Sequence, residues 1–370
     1  MRPYASYLHG RVASVATACA LAVLGCAAIE VGYRIHSERP VFALGNWRAW
    51  RIEFRSFGDR GRFDSLLGWA PKERYEGDGY NTVAHGIRRG SGKGDAGVPS
   101  GAVLAVGGSL TDGGPNVDDD ETWPAQLERL AGTPVLNAGV SGYGTDQIVL
   151  RAERLLPLVR PKTLIVGFVG DEIHRAGLSS YGASRPYFTL ESGELKYHPP
   201  RLPLADDPVM PAWQARVRDM LGYSAVADVV LGLVAPEYWL GTAGRAAFQK
   251  ADNEPVGVTC ALLQRLKRRT DADGIRLLLF MQHGRIVIAT KQEPFDDAKK
   301  VTQCATAAGI EVADQFEALR AIAVANPAAL SEFYRRGRMS PKGNRLAAEV
   351  LARAINKATA TSPSAAKPRR

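Results

Sequence analysis

The chain of 370 residues is poor in cysteine and histidine, with four cysteines and six histidines. The cysteines (Cys19, Cys26, Cys260 and Cys304) lack the spacings typical of metal sites, and nothing in the sequence indicates a metal or an organic cofactor. Nucleic-acid-binding motifs are also missing, so nucleic acid is not an expected partner despite the net charge of +9. This charge instead favours a location near an anionic surface such as phospholipid or an acidic polymer.

Apolar residues make up 45% of the chain and charged residues 23%, which is ordinary for a globular protein. The length suggests one large domain or two modest ones, with a core that needs no disulfide for stability. Cys260 and Cys304 could nevertheless pair in an oxidising compartment, because helices that flank one strand can lie side by side. Buried free thiols are the common alternative.

An uncharged run of 18 residues, 12–29, follows a basic amino terminus. Its length is at the short end of what a membrane-spanning helix needs, and the preceding basic residues favour an amino terminus in the cytoplasm. A retained anchor is the favoured interpretation of residues 1–40. Two alternatives stay open: a signal peptide cleaved near 18–20, and a lipoprotein whose lipobox would be 23–26. All three export the rest of the chain.

Strand and helix patterns alternate from residue 101 to about 357, which predicts a parallel sheet covered on both faces. The lead-in segment 41–100 is irregular, with a flexible loop expected at Ser91–Gly97. We expect 174–254 to be an insertion over the top of the sheet and 358–370 to be a disordered tail. The predicted strands are Ala102–Val106, Val135–Leu136, Thr163–Val169, Arg276–Met281 and Ile310–Ala313.

The stretch 103–113, VLAVGGSLTDG, has the pattern of a buried strand that ends in two glycines and a serine. Glycines at 107 and 108 allow a sharp turn and leave the hydroxyl of Ser109 unobstructed. Open α/β sheets place their chemistry at the carboxyl ends of their strands. An ordinary Gly/Ser turn is the simpler alternative.

Four segments taken together resemble the SGNH (GDSL-type) hydrolase superfamily over roughly residues 101–357. These are GGSLTDG at 107–113, NAGVSGYGTDQ at 137–147, VGD at 169–171 and RMSPKGNRLAAEV at 338–350. The resemblance implies a flavodoxin-like three-layer α/β sandwich with a five-stranded parallel sheet, here with an added N-terminal membrane helix. Members of the superfamily hydrolyse or transfer acyl esters, often acetyl groups on carbohydrate.

The lead-in segment also resembles membrane-anchored bacterial members of this superfamily. We therefore expect a periplasmic domain held at the bacterial inner membrane through residues 12–29. The expected partner is an acylated or acidic carbohydrate polymer of the envelope. The sequence does not indicate the oligomeric state.

The resemblance places the catalytic serine at Ser109 and an oxyanion-binding amide at Gly142. The position of the third-segment asparagine is Gly170, which has no side chain to donate, while the Asp171 that follows fits the pattern. The aspartate that usually precedes the serine is Gly108 here.

The acid and base positions of the last segment are occupied by Arg336 and Arg338. Arginine stays protonated at physiological pH and cannot accept the serine proton. These two arginines are predicted to bind an anion, such as a carboxylated or phosphorylated glycan, or to form a solvated basic turn. His174 and His283 follow predicted strands and could replace the missing base.

Two hypotheses therefore stay open. The first is an ester hydrolase or O-acetyltransferase of envelope carbohydrate in which Ser109 works with an unusual base. The second is a non-catalytic exported relative that binds an acidic polysaccharide or a biosynthetic partner. Both predict that the Ser109 hydroxyl lies beside the Arg338 guanidinium at the rim of the sheet.

Overall fold

The computed structural model describes most of the chain, with gaps in the amino-terminal half, around residue 205 and at the carboxyl terminus. The described residues are 3–36, 41–42, 45–48, 51, 58–90, 99–200, 210–240, 248–291, 293–335 and 337–361. The predicted loop Ser91–Gly97 and Arg336 lie outside these residues.

The described residues form helices and short strands. The helices are α1 (Pro3–His36), α2 (Ser109–Asp112), α3 (Trp123–Ala131), α4 (Thr145–Val159), α5 (Gly170–Arg175), α6 (Ala212–Leu221), α7 (Ala225–Val234), α8 (Pro236–Leu240), α9 (Pro255–Ala272), α10 (Arg285–Thr290), α11 (Asp296–Ala307), α12 (Phe316–Ala325) and α13 (Pro341–Thr361). The strands are β1 (Gly61–Asp64), β2 (Gly68–Pro71), β3 (Glu76–Gly77), β4 (Tyr80–Asn81), β5 (Val103–Gly107), β6 (Val135–Asn137), β7 (Thr163–Phe168), β8 (Leu178–Tyr181), β9 (Ala183–Ser184), β10 (Tyr187–Glu191), β11 (Glu194–His198), β12 (Phe248–Lys250), β13 (Arg276–Met281), β14 (Glu311–Asp314), β15 (Tyr334–Arg335) and β16 (Arg338–Met339).

Five strands form one parallel sheet in the order β6-β5-β7-β13-β14. This is the flavodoxin-like order, in which the second strand along the chain lies outside the first. The central strands are apolar and buried on both faces, as parallel strands covered by helices should be. Helices α3, α12 and α13 contribute to the core cluster on one face, while α4, α9 and α11 pack against the strands as well. The predicted fold class is confirmed.

Local sequence signals agree with the element boundaries only in part. The hydroxyl of Thr122 accepts a hydrogen bond from the amide of Ala125 and caps α3, as its type and position predict. The amphipathic pattern near 213–231 predicts helix, and the structure has two helices there, because the chain turns at Gly222 and Ser224 caps the second one. The final helix runs to Thr361, so residues 358–361 are helical rather than part of a disordered tail.

The chain divides into two compact units. We call Asp59–Leu202 with Ala247–Arg370 the sheet unit, and Met1–Gly58 with Pro203–Ala246 the helical unit. The sequence predicted 174–254 as a single insertion over the sheet. The structure instead groups only its two ends with the sheet, because its middle part belongs with α1.

Helix α1 contains a 23-residue segment, Ser14–His36, with an 18-residue window of mean hydropathy 2.0, which is long and apolar enough to cross a membrane. This segment fits a signal anchor or a signal sequence.

A disulfide joins Cys260 on α9 to Cys304 on α11, with their Cα atoms 5.9 Å apart. The pairing that the sequence left open is therefore present. Disulfides persist in oxidising compartments, which agrees with an exported chain.

Candidate functional site

Ser109 lies at the point of the sheet where the strand order reverses. It begins α2 at the carboxyl end of β5, and Gly170 begins α5 at the carboxyl end of the neighbouring strand β7. Crevices at such reversal points are where open α/β sheets bind ligands. The predicted Ser109 and Gly170 are thus at adjacent strand ends.

The backbone amide of Ser109 donates a hydrogen bond to Glu172 Oε1 at 3.2 Å. The second carboxyl oxygen of Glu172 accepts from the amide of Val169 at 3.0 Å. Only 1% of Glu172 is exposed, so its carboxyl group has little contact with water. The first turn of α5 thereby places an acid against the backbone of the candidate nucleophile.

The Glu172 carboxyl group occupies the space in which a side chain at position 108 would lie. A Cβ atom on Gly108 would lie 1.7 Å from Glu172 Oε1. The usual aspartate of this segment could not occupy the same position. An acid is still present, but it comes from α5 rather than from the residue before the serine.

Burial raises the pKa of Glu172 from 4.5 to about 7, although Arg175 and the two amide hydrogen bonds oppose this change. The Arg175 Nη1 atom lies 3.6 Å from Glu172 Oε1 and donates to the carbonyl oxygen of Tyr143 at 3.1 Å. The guanidinium of Arg175 also lies 5.0 Å from the ring centroid of Tyr181. A cation and an acid therefore lie close to Ser109.

Gly142 has a φ of +86°, which favours glycine, and two aromatic rings cover it. A Cβ at this position would lie 3.3 Å from Trp69 and 3.7 Å from Tyr181. Trp69 also donates from its indole nitrogen to the carbonyl oxygen of Ser141 at 3.3 Å. Gly142 therefore lies in a loop that two aromatic rings cover, and its oxyanion role stays a prediction.

Arg338 donates from Nη1 to Ser141 Oγ at 3.2 Å and lies 3.9 Å from Asp112 Oδ2. The Ser141 hydroxyl in turn donates to the same Asp112 oxygen at 2.5 Å. A Cβ on Gly114 would lie 1.6 Å from the guanidinium, so Gly114 makes room for it. Arg338 is thus paired at the carboxyl end of α2, the helix that Ser109 begins.

The two histidines considered as replacement bases make other contacts. His174 Nε2 is 2.9 Å from Asp297 Oδ2, and His283 Nε2 is 2.7 Å from Asp314 Oδ1. His283 is only 4% exposed and its ring packs edge-on against Phe316. Within the described ranges, no histidine hydrogen-bonds the Ser109 hydroxyl.

A cleft of about 590 Å³ adjoins this site in the sheet unit. The predicted residue Asp171 is exposed and lines it, together with His174, Arg175, Tyr181, Lys250 and Asn253. Two cationic side chains, one carboxylate and an aromatic ring therefore face the same space. Among the described residues, no group of three or more His, Cys, Asp or Glu side chains is placed to hold a metal ion.

Sequence reasoning missed Glu172, Arg175 and the Ser141–Asp112 pair. Glu172 is in the segment that was compared with the superfamily, one residue after Asp171. The only sequence signal for Glu172 was the glycine at 108. Where the usual acid is missing, another acid can take its place from a neighbouring segment.

No family model and no curated protein matches the chain. Solved structures with a similar backbone include a protein described as lipolytic and of the G-D-S-L family from Desulfitobacterium hafniense, with 13% identity, covering 68% of this chain and 98% of that chain, at a TM-score of 0.37. A lipase/acylhydrolase from Enterococcus faecalis is similar at 12% identity, 73% and 99% coverage and a TM-score of 0.37. A two-domain esterase active on acetylated mannans has 12% identity, 74% and 54% coverage and a TM-score of 0.40. These proteins include members of the group that the motifs resemble, but such low similarity says nothing about activity.

Proposed function

We propose that this protein is a membrane-anchored, exported relative of the SGNH acyl-ester hydrolases that binds an acylated or acidic carbohydrate polymer and has lost ordinary triad turnover. The observation that carries the proposal is the hydrogen bond from the Ser109 amide to the Glu172 carboxyl group at 3.2 Å.

The backbone amide of a nucleophilic serine ordinarily helps to stabilise the oxyanion that forms when the serine attacks an ester. Here that amide donates to an acid, and an ionised Glu172 would repel a second negative oxygen at the same place. The loss of one oxyanion donor costs on the order of 10²–10³ in turnover. Gly170 cannot replace it, because it has no side chain.

The position at which the resemblance places the general base is Arg338, which is permanently cationic. Loss of the base in a serine triad costs on the order of a millionfold in turnover. The guanidinium is paired with Ser141 and Asp112. This pairing supports a structural or ligand-binding role rather than proton transfer.

The cleft beside Ser109 supports a carbohydrate ligand. Tyr181 offers a ring of the kind on which sugar rings pack, while Arg175 and Lys250 can form charge-assisted hydrogen bonds with carboxylate or phosphate groups. Arg336 lies outside the described residues, so its predicted part in anion binding stays a prediction.

A second candidate function is ester hydrolysis with Glu172 as the base. Its pKa of about 7 is close to the working pH, which is the range in which a general base is most effective. This candidate requires Glu172 to leave the Ser109 amide during the reaction.

Hydrolysis of p-nitrophenyl acetate by the full chain, with the Ser109→Ala and Glu172→Gln variants, distinguishes the two candidates. We expect the same background rate for all three proteins. Hydrolysis by the unchanged chain above background that disappears in Ser109→Ala would contradict the proposal that turnover has been lost. Loss in both variants, with a rate that rises through about pH 7, establishes Glu172 as the base.

Ligand binding is tested separately by calorimetry with an acetylated, a carboxylated and a neutral polysaccharide. Lys250→Gln should weaken binding of the preferred polymer by about tenfold, the value of one charged hydrogen bond. The control Lys267→Gln on α9 removes the same charge outside the cleft and should change nothing. Equal binding of all three polymers, or equal effects of the two variants, contradicts the proposed ligand.

A further inference from the structure

Helices α6 and α7 expose their apolar faces. On α6, Trp213, Val217, Met220 and Leu221 are 65%, 45%, 73% and 39% exposed, and on α7 Val230, Leu233 and Val234 are 48%, 76% and 73% exposed. Both sets have the spacing of a single helical face. We call these seven side chains the apolar surface of the helical unit.

The opposite faces of the same two helices bury charged side chains. Asp228 is 1% exposed, with its carboxyl group 2.5 Å from the Arg51 guanidinium and in a hydrogen bond with the indole nitrogen of Trp239. Arg218 is 3% exposed and donates to the carbonyl oxygen of Tyr238. Arg216 and Asp219 of α6 stay exposed beside its apolar stripe. An apolar face flanked by exposed charges, with paired charges buried behind it, is typical of helices that lie in the membrane interface.

The start of α7 is attached to the candidate membrane span. Glu30 of α1 accepts hydrogen bonds from the Ser224 hydroxyl at 2.8 Å and from the amides of Ala225 and Val226 at 2.7 and 3.1 Å. Arg34, one turn later on α1, donates to the carbonyl oxygen of Tyr223 at 3.0 Å. These polar contacts lie near the end of the span, where a helix leaves the hydrocarbon. The start of α7 is therefore held at the end of the candidate membrane span.

We propose that the apolar surface of the helical unit is a second membrane contact, which lies in the lipid interface beside the exit of α1. The ten residues of α7 extend about 15 Å, half the thickness of the hydrocarbon core, so the helix lies along the membrane rather than across it. A second copy or another membrane protein could also cover such a face. Lipid is favoured because no residue of the 18-residue apolar window of α1 is buried.

Spin labelling of the full chain in phosphatidylethanolamine and phosphatidylglycerol vesicles tests the proposal. The free cysteines Cys19 and Cys26 are changed to serine, and a nitroxide is attached to Leu233→Cys. The matched control is Val324→Cys on α12, a side chain 67% exposed in the sheet unit. The label at 233 should collide severalfold more often with oxygen than with a water-soluble nickel chelate, while the label at 324 should favour the chelate.

Chelate access at 233 equal to that at 324 overturns the proposal, because the face then lies in water. Low access of both reagents at 233 also overturns it, since a protein then covers the face. Trp213 gives a second measurement without a label. Brominated acyl chains should quench a share of the tryptophan fluorescence that is absent from Trp213→Phe, and equal quenching of the two proteins contradicts lipid contact.

Discussion

The contact between Glu172 and the Ser109 amide predicts a specific cost for Gly108→Ala. The new Cβ would lie 1.7 Å from Glu172 Oε1, so the carboxyl group must leave both amides that it now accepts from. Gly108 has a φ of −93°, outside the left-handed region, so the collision rather than backbone strain sets the cost. Above about pH 7, where Glu172 is ionised, two charge-assisted hydrogen bonds near the lower end of their usual value give a loss of about 3 kcal/mol in the free energy of unfolding.

Urea unfolding of the full chain, of Gly108→Ala, of Glu172→Ala and of the double variant measures this cost. In the Glu172→Ala background the same glycine change should cost less than about 1 kcal/mol, because the three atoms nearest to the new Cβ all belong to the Glu172 carboxyl group and are gone. Gly284→Ala is the control, since a Cβ there meets nothing within 4 Å. Equal costs of Gly108→Ala in both backgrounds would refute the reasoning.

Three further predictions concern the sheet unit. Burial raises the pKa of Glu172 from 4.5 to about 7, so its neutral form stabilises the fold below about pH 4.5 and this stability is lost as the pH rises through about 7. Glu172→Gln should remove that part of the pH dependence, and an unchanged slope would contradict it. Replacing Cys260 and Cys304 by serine opens a link between residues 44 positions apart and should cost roughly 2–4 kcal/mol in urea unfolding. A cost below about 1 kcal/mol would show that the disulfide adds little. Arg185→Met leaves the fully buried Asp146 without its guanidinium partner and should cost about 3–5 kcal/mol, whereas a stability close to that of the unchanged chain would mean that Asp146 finds another partner.

The sheet could be predicted from the sequence because its strands are short, apolar and buried on both faces. Arg276–Met281 has the same bounds in the prediction and in the structure. Thr122 placed the start of α3, since its hydroxyl caps the helix through local geometry alone. Apolar periodicity and helix caps can be recognised in the sequence because they involve residues that are close together along the chain.

The contacts around Ser109 could not be predicted in the same way. Glu172 bonds to an amide 63 residues away, and Arg338 bonds to a hydroxyl 197 residues away. Periodicity places a residue on a helix or strand but does not say where a long side chain ends. Arg338 lies 3.9 Å from Asp112, three residues after Ser109, so the contact of the Ser109 hydroxyl with the Arg338 guanidinium stays a prediction.

The surroundings of the helices in the helical unit could not be predicted from the sequence either. The apolar stripe near 213–231 correctly predicts helix, but a stripe is the same whether it faces a core or a membrane. The deciding residues are Arg218 and Asp228, whose burial follows from partners elsewhere in the unit. The predictions of export and of a membrane anchor both came from residues 1–40, most of which form α1.

The central claim is that Ser109 is no longer an activated nucleophile. Its most direct test is exposure of the full chain to a fluorophosphonate that labels active serine hydrolases, followed by intact-mass measurement. We predict no adduct under conditions that fully label an active serine esterase. A stoichiometric adduct that maps to Ser109 and disappears in Ser109→Ala would contradict the account.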